Sequence, residues 1–134
     1  MANKSDKTIS SLPSMEHTFH ISVVGEDTKQ MYKGDFTYRK PTLGDRAKSQ
    51  VMRTRLDGDL ENLDPNIQAF HSMVSILRHT LVKSPSWWIE SDYGYELHDL
   101  NVVSEVYKET LRFEKEWADK VYGKDEEDKK DKSA

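Results

Sequence analysis

The chain has 134 residues, 20 Lys and Arg against 24 Asp and Glu, a formal net charge of −4, and no cysteine. That length suits one domain with a modest core, and the lack of cysteine excludes a disulfide framework and a thiolate zinc site. The mild acidic balance argues against a nucleic-acid module, whose basic face normally raises the pI.

Hydrophobic residues make up 35% and charged residues 33% of the chain. Either the ends are disordered or a small core is completed by a partner. No apolar run approaches the ~18–20 residues of a membrane span, and the N-terminus lacks the apolar core of a signal peptide. The expectation is a soluble intracellular protein.

Residues 1–15 are polar, without periodicity, and are predicted to be disordered. Residues 17–24, HTFHISVV, alternate, with Phe19, Ile21 and Val23 on one face. GEDTKQ at 25–30 is turn-like, and MYKGDFTYR at 31–39 resumes the strand pattern, with a bulge predicted around Gly34. The two segments read as a β-hairpin. A lone hairpin is marginal in water, so it must pack on helices, join another strand, or both. Its unpaired edge makes Tyr32, Phe36 and Tyr38 candidates for self-association.

Pro41 stops the second strand. Thr42 is a candidate N-cap, with Asp45 three residues on completing a shortened capping box. Leu43, Ala47 and Val51 recur at i+4, with Met52 and Leu56 beside them, and predict a helix ended by Asp57-Gly58-Asp59. It carries the basic cluster Arg46, Lys48, Arg53 and Arg55. Asp64 then caps a second helix, with Pro65 at its first position. Ile67, Phe70, Val74, Leu77 and Leu81 form its stripe, widened by Met73 and Ile76, so it is predicted to be the central helix, closed by Pro85.

Residues 86–98 are irregular and aromatic. From Asp99, a predicted N-cap, a long helix runs to Tyr122 with two stripes, Val102/Val106/Phe113/Trp117 and Val103/Tyr107/Leu111. They imply either neighbours on two sides or one wide core face. After Gly123, five acids and four lysines fall in eleven residues, the composition of a disordered charged tail. The fold expected is α+β and mainly helical: an N-terminal hairpin and three main helices in a single domain over 16–122, between tails at 1–15 and 123–134.

Nothing in the sequence points to catalysis. His17 and His20 would face opposite sides of a strand, and His71 and His79 lie ~80° apart around a helix; neither pair has metal-ligand spacing. Asp57, Asp59, Glu61 and Asp64 bracket a turn without the EF-hand offsets. No phosphate loop, nucleophile elbow or cofactor motif appears, so the expectation is a non-enzyme with no cofactor and no metal. What remains is aromatic: Trp87, Trp88, Tyr93 and Tyr95 within nine residues. Adjacent side chains diverge by about 100° on a helix and oppose on a strand, so both tryptophans cannot serve one small core. Either one plugs the helix ends while the other lies along the surface as a lid, or the segment anchors a partner, since Trp and Tyr dominate interface hot spots. These four residues are the candidate partner-binding set.

The order of these features resembles the tail assembly chaperones of long-tailed bacteriophages. The resemblance lies in Phe36, Arg39, Pro41 and Asp45 at the hairpin exit, and in the Leu63-Asp64 helix start. It continues in the Pro-x-Trp-Trp segment and in the Val-x-x-Val-Tyr…Phe-Glu pattern of the last helix, and spans residues 19 to 117. It implies a non-catalytic protein of the host cytoplasm, absent from the finished virion. Such a protein binds the phage tape measure protein, keeps it soluble while tail tube subunits assemble around it, and self-associates. It also implies a longer frameshifted isoform that recruits tail tube protein, this chain being the short form. By the family pattern Trp88 is expected to be buried against the last helix and Trp87 to lie near the surface. The rival readings are a structural virion protein, such as a head–tail connector or tail completion subunit, and a small nucleic-acid-binding regulator using the Arg46–Arg55 helix.

Overall fold

Alternation of apolar and polar residues drives the first two strands together. The computed structural model describes residues 12–59 and 62–133, with side chains through Gly123. The expected tail at 1–15 lies outside the described residues except for 12–15, and so do the side chains of the expected charged tail from Lys124 on. The order is β1 (Glu16–Val24), β2 (Met31–Arg39), α1 (Leu43–Asp57), α2 (Pro65–Thr80), β3 (Leu81–Lys83), α3 (Ser86–Glu90) and α4 (Leu100–Ser133). This is the expected α+β, mainly helical class, with two elements the sequence reading did not resolve, β3 and α3.

β1 and β2 pair antiparallel in one unbroken register from Glu16↔Arg39 to Val24↔Met31. The bulge expected at Gly34 is therefore absent. Tyr32, Gly34, Phe36 and Tyr38 all fall on the inner face, and Gly34 leaves room for a close approach: a Cβ there would sit 2.6 Å from Pro85 Cγ. The register shift lies instead between Thr37 and Tyr38, where β2 meets β3.

β3 also corrects the end of α2. The apolar periodicity predicts that helix through Leu81 to Pro85, but it stops at Thr80, and Leu81 and Lys83 pair with β2. Thr80 is fully buried and bonds back to Ile76 O at 2.7 Å, while its branched neighbour Val82 suits a strand. The sheet order is β1-β2-β3. The hairpin thus gains both supports it needed, a third strand and a helical layer.

One face of the sheet is core. Phe19, Ile21, Tyr32, Phe36 and Tyr38 meet Val74 and Leu77 of α2, Trp88 of α3, and Val102, Val103 and Val106 of α4. Tyr32, Phe36 and Tyr38, expected on a self-association surface, are therefore interior residues and cannot serve one without unfolding. Tyr38 keeps its hydroxyl satisfied by donating to Glu114 Oε2 at 2.5 Å. Burial first, then the Glu114 carboxylate, pushes that phenol well above its ordinary pKa. Glu114 also accepts from Lys40 Nζ, whose ammonium lies over the Trp117 ring.

Two carboxylates fix the joints of the fold, Asp99 over a long stretch of chain and Asp45 locally at the hairpin exit. Asp99, expected to cap α4 with its side chain, turns it instead into the β1–β2 turn. It accepts from Asp27 N–H (2.7 Å), Thr28 N–H (3.0 Å), Thr28 Oγ1 (2.6 Å) and Tyr32 OH (3.2 Å). Asn101 reinforces the junction, donating to Val24 O and accepting from Glu26 N–H. At the hairpin exit Asp45 completes the capping box with Thr42 and accepts from Arg39 Nη2 at 2.8 Å. The same Arg39 nitrogen donates to His79 O.

The Thr28 hydroxyl is the main reason the Asp99 carboxyl is held below its ordinary value of 3.8, with the backbone N–H groups and Tyr32 adding to it. A depressed folded-state value means that this stabilisation is complete above 3.8 and is lost as pH falls through the lower folded value. Acid titration of thermal stability should therefore show a loss below pH 4 that is smaller in Asp99→Asn, a variant already weaker at pH 7 because its amide N–H₂ meets N–H donors. Thr42→Ala should lower unfolding free energy by ~1 kcal/mol in urea titrations, the usual cost of a lost N-cap.

Candidate partner-binding surface

The aromatic segment is mostly structural. Pro85 leads into the single turn of α3, which separates the two tryptophans by the helical angle. Trp88 is fully buried, edge-on to Phe36 with centroids 5.4 Å apart. The chain then folds over it: Gly94 has φ +90°, and a Cβ there would lie 2.6 Å from the Trp88 ring. Trp87 is half-buried, edge-on to Tyr32 and Phe36, and its indole N–H donates to Lys33 O at 2.8 Å. Trp88 thus plugs the core and Trp87 closes the sheet end as a lid.

The tyrosines are also engaged. Asp92 and Tyr93 take left-handed φ values of 53° and 56°, unfavourable for residues with a Cβ. Arg78 of α2 holds this turn, with its guanidinium 3.7 Å from the Tyr93 ring centroid and 3.3 Å from Asp92 Oδ1. Tyr95 stacks on Phe70 at 5.8 Å and lines a cleft of ≈ 200 Å³ with Ile67, Leu97, Leu100 and Val103. Of the four expected anchors, only Tyr95 borders an open apolar cleft; Trp88 is inaccessible.

The larger accessible apolar feature lies on α1, where the sequence stripe faces the wrong way for a core. Leu43 is 85% and Val51 59% exposed, with Ala47 exposed between them. The inward residues are Asp45 and Ser49, with Met52 and Leu56 half-buried. At about 100° per residue, Asp45, Ser49, Met52 and Leu56 share one direction, and Leu43, Ala47 and Val51 lie opposite. Asp45 sets this rotation through Arg39 and Thr42. Burial pushes its carboxyl up, but bonds from Thr42 and the Arg39 guanidinium outweigh that and hold it below 3.8. Further along, the Ser49 hydroxyl lies 3.1 Å from Ser75 O of α2, and Asp57 meets His71 Nδ1 at 2.7 Å.

The outward stripe is bordered by cations on both sides, Arg46 and Arg53 on one and Lys48 and Arg55 on the other. On the Lys48 side it slopes into an open groove of ≈ 550 Å³ between α1 and α2, lined by Ala47, Val51, Met52 and Leu56 with Arg55, Arg78 and His79 at its rim. Among the described residues, Lys48 and Arg55 enter no ion pair. In the sequence the stripe predicts only a helix, and the cations carry the rival nucleic-acid reading. The signal that orients both is the capping Asp45, whose link to Arg39 turns the polar side inward.

Elsewhere, no group of three or more His, Asp or Glu side chains among the described residues could hold a metal ion. No helix among them is long and apolar enough to cross a membrane. The chain matches no family model, no curated protein and no solved structure.

The two surfaces should respond differently to truncation. Trp88→Ala should cost ~3–5 kcal/mol of unfolding free energy, as for other large buried rings. The double change Leu43→Ser, Val51→Ser should stay within ~0.5 kcal/mol of the parent, because both residues already face water. Urea denaturation followed by tryptophan fluorescence measures both.

Proposed function

We propose that this chain is a tail assembly chaperone of a long-tailed bacteriophage, a binding protein that holds the tape measure protein soluble while the tail is built. The observation that carries the reading is the α1 face: an exposed apolar ridge between two cationic borders, on a chain of net charge −4. An apolar strip gives affinity for aggregation-prone sequence, and its charged frame keeps the complex in solution. The order of motifs from Phe36 to Trp117 supports the same reading.

The ligand best suited to this face is an amphipathic helical segment with apolar residues along one side and acidic residues beside them. Like charges on two copies of α1 would repel, which disfavours the ridge as a self-contact. Bare phosphate backbone would use the cations but leave the apolar ridge unmatched.

Co-expression with the tape measure protein of the same phage should bring it into the soluble fraction as a complex. The Leu43→Ser, Val51→Ser double variant should weaken that complex at least tenfold while folding normally. If the tape measure protein stays insoluble with the parent chain, the chaperone reading fails; if both rescue it equally, the reading survives and the ridge is not its site. Mass spectrometry of purified particles should find the chain absent, whereas a connector or completion subunit would be present. Binding to DNA that collapses as salt rises, without binding to the tape measure protein, would favour the nucleic-acid regulator.

A further inference from the structure

β1 is the outer strand of the sheet, and its register fixes which backbone groups point away from β2. Lys40 N–H donates to Met15 O, and Gly25 N–H donates to Gln30 O, both at 2.8 Å. With the unbroken pairing between these points, odd-numbered residues of β1 bond to β2, and Glu16, Thr18, His20, Ser22 and Val24 direct their N–H and C=O outward.

Both ends of this edge are closed by side chains. The Ser14 hydroxyl accepts from Glu16 N–H and donates to Glu16 O, each at 3.1 Å. Asn101 Nδ2 donates to Val24 O at 2.9 Å. Among the described residues, nothing bonds the outward groups of Thr18, His20 and Ser22. Their side chains do not cover them, because all three reach back to β2: Thr18 to Thr37 at 2.9 Å, His20 to Asp35 at 2.8 Å, and Ser22 to Met31 at 3.6 Å. The middle of the edge also has no proline or lysine, the usual devices against edge pairing.

We propose that β1 pairs antiparallel with β1 of a second copy, about a two-fold axis at His20. The chaperone resemblance implies self-association of some kind; this pairing rests on the open strand edge and uses a different surface from the α1 ridge. The open stretch is self-complementary. Thr18 faces Ser22 of the second copy, His20 faces its own equivalent, and each facing pair exchanges two N–H···O bonds. On the inner side Phe19 stands opposite Ile21 of the second copy; both are already buried in the monomer, so the backbone ladder rather than new apolar burial holds the pair. The caps fix the register, because a slip along the strand would bring Glu16 or Val24, already bonded, into the ladder.

Sedimentation equilibrium over a concentration series tests this. The parent chain should shift from monomer to dimer. His20→Pro removes an outward N–H and the exposed side-chain bond to Asp35, but no backbone bond to β2, and should remain monomeric with unchanged far-UV circular dichroism. Should that variant misfold, single cysteines decide, since the chain has none of its own. His20→Cys brings two thiols to a Cα separation of about 5.5 Å, within disulfide range, and should oxidise to a covalent dimer. Ser22→Cys, equally exposed but facing Thr18, should not. A chain that stays monomeric at every concentration, or a dimer in which His20→Cys crosslinks no faster than Ser22→Cys, would overturn the proposal.

Discussion

The Asp45 carboxylate decides which way α1 faces, and the accessible surface of the protein follows from it. It receives the Arg39 guanidinium from the end of β2 and closes the capping box with Thr42. A carboxylate that close to the sheet must lie on the inner side of its helix. Ser49 then falls toward α2, where Ser75 O receives its hydroxyl, and at the end of the helix Asp57 meets His71. The helix is thus seated by polar contacts, and its apolar stripe is left over. An ordinary amphipathic helix buries its apolar side because burial of such side chains is the main favourable term. Here specific hydrogen bonds and an ion pair override that preference, and the exposed Leu43 and Val51 are the result.

The opposite end of the domain uses the same device. Asp99 spends its carboxylate on the β1–β2 turn, and Asn101 closes the neighbouring end of the strand edge. Between them they position the hairpin against α4. The core proper is small and aromatic, built around Phe36 and Trp88, with Trp87 as its lid. A chain with only 35% hydrophobic residues can fold this way because buried carboxylates with several donors replace part of the apolar contact a larger core would supply.

Much of this was legible in the sequence. Period-two alternation located both strands, and Asp64-Pro65 and Thr42…Asp45 marked two helix starts. Trp88 was correctly expected inside and Trp87 nearer the surface. The errors share a physical cause: each needed a tertiary partner to be visible. Leu81–Lys83 looks like the tail of a helix until β2 is present to pair with it. Gly34 looks like a bulge until Pro85 packs onto it. Tyr32, Phe36 and Tyr38 look like an edge surface until the helical layer covers them. The outward turn of the α1 stripe is hidden until Arg39 reaches Asp45.

The outward face of α1 is thus the surface proposed to hold a partner. Amide hydrogen exchange of the protein alone and mixed with its proposed partner, the tape measure protein, measures this most directly. Protection on binding should concentrate in Leu43–Asp57 and the facing turns of α2, with little change around Trp87 and Trp88. Protection confined to the Tyr95 cleft or to β1, with α1 unchanged, would contradict it.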